Sequence, residues 1–131
     1  MELLKSLFGG SSNNNIENKM NWIVLKEESQ LTELILNSSN KPSLIFKHST
    51  RCGISRMVLK SFEREYNIEQ SELDIYFLDL LNYRELSNEI ANRLNIQHQS
   101  PQVLVLINEE VAYTDSHYSI SASAVKEKLN K

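Results

Sequence analysis

The sequence predicts an α/β fold, with a central mixed β-sheet sandwiched between helices. Three observations predict it. Strand-like runs alternate with segments of helical periodicity along the chain. Two of those runs, Ser43–Phe46 and Asp74–Leu78, are apolar on both faces, as inner strands covered on both sides are. The last two runs, Gln102–Ile107 and Val111–Thr114, are joined by the turn signal Asn108-Glu109-Glu110 and read as an antiparallel hairpin.

The 131 residues suffice for one core and not two. A content of 40% hydrophobic and 24% charged residues is that of an ordinary globular domain, and the net charge of −3 makes no case for nucleic-acid binding. No apolar run reaches the roughly 18 residues of a membrane span. The N-terminus lacks the pattern of a secretory signal, and a single cysteine fits a reducing compartment, so a cytoplasmic monomer is expected.

Met1–Phe8 carries Leu3, Leu4, Leu7 and Phe8 on one side but is too short to hold a helix alone. The Gly9–Asn15 run that follows is linker-like, so residues 1–17 are expected to be a flexible segment and 18–131 the folded domain. Asn21–Leu25 reads as the first strand. From Ser29, a plausible N-cap, Leu31, Leu34, Ile35 and Ser38 recur at helical spacing until Asn37–Pro42 breaks the helix. After Ser43–Phe46 and a polar turn, a helix begins at Cys52. Its expected inner stripe is Ile54, Met57, Val58, Ser61, Phe62 and Tyr66, with Ser55, Arg56, Lys60, Glu63 and Arg64 outward. A third helix starts near Tyr83, with Leu86, Ile90 and Leu94 aligned, and a last one spans about Ser119 to Leu129. The order β-α-β-α-β-α-β-β-α is that of a thioredoxin-like three-layer sandwich.

Cys52, the only cysteine, carries the chemistry. A lone cysteine is most often a small buried hydrophobe. Here a run of polar residues precedes it and a glycine follows, which places it on an exposed turn. A thiol at a helix start beside cations is poised to ionise, and the thiolate is the nucleophile. Lys47, Arg51 and Arg56 supply the charge; amides near Ile54 and Ser55 face the sulfur; Gly53 leaves room for a bulky disulfide. Ser55 stands where a resolving cysteine would, so a mixed disulfide on Cys52 must be resolved by a second thiol from solution. Ser100-Pro101-Gln102 opens a strand, where proline does not interrupt the ladder. A cis bond there would turn the Ser100 backbone toward Cys52. His48 reads as a packing or hydrogen-bonding residue more readily than as a base. His98 and His117 assemble no metal site, and Asp79, Tyr83 and Asp115 read as structural or solvent-facing.

The run Phe46-Lys47-His48-Ser49-Thr50-Arg51-Cys52-Gly53-Ile54-Ser55, with Ser100-Pro101-Gln102 downstream, resembles the YtxJ-type monothiol bacilliredoxins, over about Trp22 to Leu129. The resemblance implies a thioredoxin-like thiol-disulfide oxidoreductase that removes bacillithiol from protein mixed disulfides. Its partners would be bacillithiolated client proteins and free bacillithiol, a co-substrate, with no bound cofactor or metal. Cys52 and Ser55 would be the catalytic pair. Lys47, Arg51, Gly53, Ile54, Arg56, Ser100, Pro101 and Gln102 would meet the thiol substrate, the cations matching its malate group. Two other readings stand beside this one. Cys52-Gly53-Ile54-Ser55 is similar to the Cys-Gly-Phe-Ser of monothiol glutaredoxins, which share an iron–sulfur cluster between protomers, although the late glycine pair of those proteins is missing. A non-catalytic thioredoxin-like interaction module is the third reading.

Overall fold

The structure, a computed structural model, describes residues 20–130; the segment expected over 1–17, Met1–Phe8 included, lies outside that range, as does the expected domain start. In chain order the elements are β1 (Ile23–Val24), α1 (Glu28–Asn37), β2 (Ser43–His48), α2 (Gly53–Glu65), β3 (Asp74–Asp79), α3 (Arg84–Leu94), β4 (Gln102–Ile107), β5 (Glu110–Ser116), a 3-10 turn (His117–Ser119) and α4 (Ala122–Leu129). The five strands form one sheet ordered β1-β3-β2-β4-β5. β3 pairs in parallel with both β1 and β2, while β2–β4 and β4–β5 are antiparallel. This is the expected three-layer α/β sandwich.

Period-two alternation along β2 and β4 divides the core into two halves. Leu44, Phe46, Val103 and Val105 point to one face and meet Val58 and Phe62 of α2 and Val125 of α4. Ile45, Leu104 and Leu106 point to the other and meet Leu31 and Leu34 of α1 and Leu86 and Ile90 of α3. Phe46 and Phe62 pack edge to face at 5.5 Å, and Trp22 packs edge-on against Phe46 at 5.9 Å. Such pairs add roughly 0.5–1.5 kcal/mol beyond burial.

The boundaries differ from the sequence reading where side chains overrule local propensity. The first strand keeps only two ladder residues, both exposed on the sheet edge. The first helix is capped at Glu27, not Ser29: the Glu27 amide donates to Gln30 Oε1 at 3.1 Å, which brings the start two residues forward. The last helix begins after Ser121, whose hydroxyl accepts from the Ala124 amide, and the residues before it form the 3-10 turn. The hairpin turn Asn108–Glu109 has φ of 54° and 68°. Buried Ser38 holds it, its Oγ accepting from the Glu109 amide at 2.8 Å and its carbonyl from the Asn108 amide.

The largest correction concerns α2. Ser55, expected outward, is fully buried, whereas Ile54 and Met57, expected inward, are 38% and 58% exposed. The true inner stripe is Ser55, Val58 and Phe62, with Leu59 and Tyr66 beside it. The stripe is turned because the polar end of β2, not an apolar cluster, is what the first turn of α2 packs upon.

Candidate thiol site

β2 and β3 run parallel and deliver their C-terminal ends to one edge of the sheet. There the chain leaves β2 through Ser49–Arg51 and enters α2. Cys52 occupies the N-cap of α2 with φ −100° and ψ 121°, its thiol half-buried. Its amide donates to Ser49 O at 3.2 Å, closing the turn, and its carbonyl accepts from the Arg56 amide at 3.1 Å, opening the helix. A Cβ added at Gly53 would meet nothing within 4 Å, so the space beside the sulfur is open.

Ser55 does not spend its hydroxyl on the thiol. Its Oγ accepts from the Ser49 amide at 3.0 Å and shares a 2.8 Å hydrogen bond with His48 Nδ1. These three residues tie the end of β2 to the first turn of α2 beneath the cysteine. His48 is 5% exposed, stacks at 5.4 Å on Phe77 and stands in register with Asp79. Burial pushes its imidazole below the ordinary range, the Asp79 carboxylate opposes that, and the Arg56 guanidinium reinforces it. Asp79 Oδ2 accepts from Asn82 Nδ2 at 2.8 Å, while Oδ1 is buried with no partner. Asp79 therefore belongs to the site, which the sequence did not reveal: only the parallel register sets it beside His48.

The predicted cations separate. Arg51 and Arg56 lie on the exposed turn and helix face, Arg56 donating to Thr50 O at 3.2 Å. Lys47 lies on the opposite face of the sheet and is 0% exposed. Its Nζ donates to Ser87 O and to His98 Nδ1, each at 3.2 Å, and burial lowers its pKa to about 8. Its charge is not offered to a ligand beside Cys52.

Pro101 begins where β4 pairs with the end of β2, Gln102 opposite Lys47, and the Ser100–Pro101 peptide bond is cis. The Ser100–Pro101 turn thus shares the edge of the sheet that bears Cys52. The Gln102 side chain, like that of Lys47, is committed inside: Nε2 donates to Gln97 O at 2.9 Å and Oε1 accepts from the Gln99 amide at 3.4 Å. Of the predicted substrate contacts, the structure gathers Arg51, Gly53, Ile54, Arg56, Ser100 and Pro101 at this edge and turns the side chains of Lys47 and Gln102 away from it. Among the described residues no three His, Cys, Asp or Glu cluster as metal ligands, and no helix is long and apolar enough to cross a membrane.

A family model described as monothiol bacilliredoxin BrxC matches residues 23–125. Among solved structures, a chain described as a candidate oxidoreductase with a thioredoxin fold is 30% identical, with a TM-score of 0.68 over 81% of this chain and 91% of that one. Thioredoxin from Malassezia sympodialis is 16% identical, with a TM-score of 0.63 over 82% and 86%. The oxidised form of mitochondrial thioredoxin 3 from Saccharomyces cerevisiae is 12% identical, with a TM-score of 0.63 over 83% and 93%. The last two share the fold with this chain.

Proposed function

Because this chain belongs to the monothiol bacilliredoxin family, whose thioredoxin-like fold is that of thiol-disulfide oxidoreductases, we propose that it removes bacillithiol from protein mixed disulfides through Cys52. The Cys52 thiolate attacks the bacillithiol sulfur of the client's mixed disulfide. One sulfur–sulfur bond forms to Cys52 as the client's bond breaks, and the client leaves as a thiolate. A second bacillithiol thiolate then attacks the new disulfide, restoring Cys52 and releasing oxidised bacillithiol. Each cycle consumes one free bacillithiol and exchanges the client's mixed disulfide for oxidised bacillithiol, so the number of disulfide bonds is unchanged and no other reductant is needed.

The observation that carries this reading is the single cysteine of the chain at the half-buried N-cap of α2, with a serine, already bonded to His48, where a second thiol would stand. Internal resolution is closed, so the resolving thiol comes from solution. Arg51 and Arg56 are the charges near enough to the turn to receive a carboxylated thiol, and Gly53, Ile54 and the Ser100–Pro101 backbone would flank it.

The test is mass spectrometry of a bacillithiolated client incubated with wild-type protein and with Cys52→Ser in the presence of free bacillithiol. The wild type is expected to strip the 1:1 adduct and the variant to leave it in place. Equal removal by both sinks the proposal.

A further inference from the structure

Lys47 breaks the rule that a core position takes an apolar residue. It sits mid-sheet between the two-sided apolar run and the catalytic turn, fully buried, where a methionine would fill similar volume without desolvating an ammonium. Sequences retain such violations where function needs them.

Its partners say what it holds. An ammonium only donates, so His98 Nδ1 is the acceptor and the ring proton of His98 is on Nε2. Ser87 Oγ adds a 3.4 Å contact to the same nitrogen, and Ser87 O takes a second Nζ hydrogen. Directly across the ladder, Gln102 grips Gln97 O and the Gln99 amide. Two paired residues of adjacent strands thus hold three successive loop residues, 97 to 99. The next two residues are Ser100 and Pro101. Nothing else in β2 reaches that loop by a side-chain hydrogen bond among the described residues.

We propose that Lys47 is a positioning residue for mixed-disulfide exchange: acting through His98, with Gln102 beside it, it fixes the 97–99 loop and so the Ser100–Pro101 backbone that flanks the client's disulfide. It does not touch the reacting sulfur atoms. The proposal rests on the exchange reading above and deepens it: the thiol is set by one face of β2 and client alignment by the other.

The test is steady-state kinetics on a bacillithiolated peptide of defined sequence, with the rate of Cys52 alkylation by iodoacetamide as a measure of the thiol alone. Lys47→Met is expected to raise KM about tenfold, as a misplaced contact surface does, with alkylation unchanged and melting no lower than wild type. His98→Ala, on an exposed side chain, is expected to raise KM in the same direction. His98→Gln, whose amide oxygen can accept from Nζ, is expected to restore it. Wild-type KM in both Lys47→Met and His98→Ala overturns the proposal, as does a matched fall in alkylation and turnover. Amide hydrogen exchange of residues 97–102 keeps the two readings separable. If the wild type turns over no peptide, the exchange reading fails, while faster exchange in Lys47→Met still supports the clamp and unchanged exchange removes it.

Discussion

Lys47 and His48 are neighbours on one strand, both buried, yet they serve opposite faces of the sheet. His48 points to the α2 side, where its ring, Ser55 and the Ser49 amide close a small network under Cys52. Lys47 points to the α3 side, where its ammonium, Ser87 and His98 hold the loop before Pro101. In the first, the hydrogen-bonded atoms belong to neutral groups that answer one another, and the Asp79 carboxylate beside the ring is bonded to Asn82 instead. The second contains an ammonium that burial disfavours, and its lowered pKa records that cost. The difference teaches that the two sides of one strand are built to separate standards: the thiol turn is held by neutral complementarity, the substrate loop by a charge tolerated against its solvation.

The largest effect that could break this contrast is the pH dependence of stability through Lys47. The unfolded lysine titrates at 10.5 and the folded one at about 8. Between those values the unfolded state holds the extra proton, so stability rises with pH across that window and the penalty is complete below it. The whole span is worth at most about 3 kcal/mol. Lys47→Met has no proton to lose. It is therefore expected to equal or exceed the wild type in stability at neutral pH, with its advantage shrinking as pH rises from 8 toward 10.5. Urea midpoints of the two proteins, compared at each pH, check this. Tyr66 and Tyr113, both pushed up to about 12 by burial and nearby carboxylates, occur in both proteins and cancel in the difference. An advantage that stays flat across the window would mean that the ammonium is not the source of the penalty.

Ser55→Ala probes the opposite side and is expected to act with the opposite sign. It leaves the Ser49 amide and His48 Nδ1 without their shared partner in a buried site, a loss of about 2 kcal/mol. Because those bonds shape the turn that carries Cys52, turnover should fall together with stability, where Lys47→Met separates the two. Chemical denaturation alongside peptide turnover reads both quantities. A stable and fully active Ser55→Ala protein would mean that the thiol turn holds itself.

These two networks also mark how far the sequence could be read. Element order, the two-sided strands, the hairpin and Cys52 at a helix start were all legible, because each follows from local periodicity or from turn residues. Ser55 was placed outward because helical periodicity counts apolar positions, and here a serine takes the inner stripe to meet a histidine that the chain brings in from β2. Residue type alone assigns Lys47 to the thiol substrate, as a cation beside Cys52. Its burial follows from pairing with Gln102 and from α3 lying over it, and neither is written near residue 47. Asp79 joins the site only through the β2–β3 register. Long-range pairing, not propensity, decided each of these.

The smallest effect, and the finest test of the contrast, lies in the two imidazoles. Each has a cation that holds its titration down: Arg56 for His48 and Lys47 for His98. Removing either cation should therefore raise the pKa of its histidine. The rises should differ in size. For His48, burial leads, the Asp79 carboxylate pulls the other way, and Arg56 ranks behind both, from an exposed side chain whose field water screens. For His98, Lys47 ranks directly after burial, and its ammonium is 3.2 Å from the ring nitrogen inside the protein. Arg56→Ala should thus move His48 only slightly upward, and Lys47→Met should move His98 upward by more. Resonances of the ring protons followed through a pH titration of each variant give both values in one experiment. A larger shift at His48 than at His98 would reverse the assignment of charge to the loop side and neutrality to the thiol side, because it would mean that the thiol network, and not the loop clamp, is the one governed by a cation.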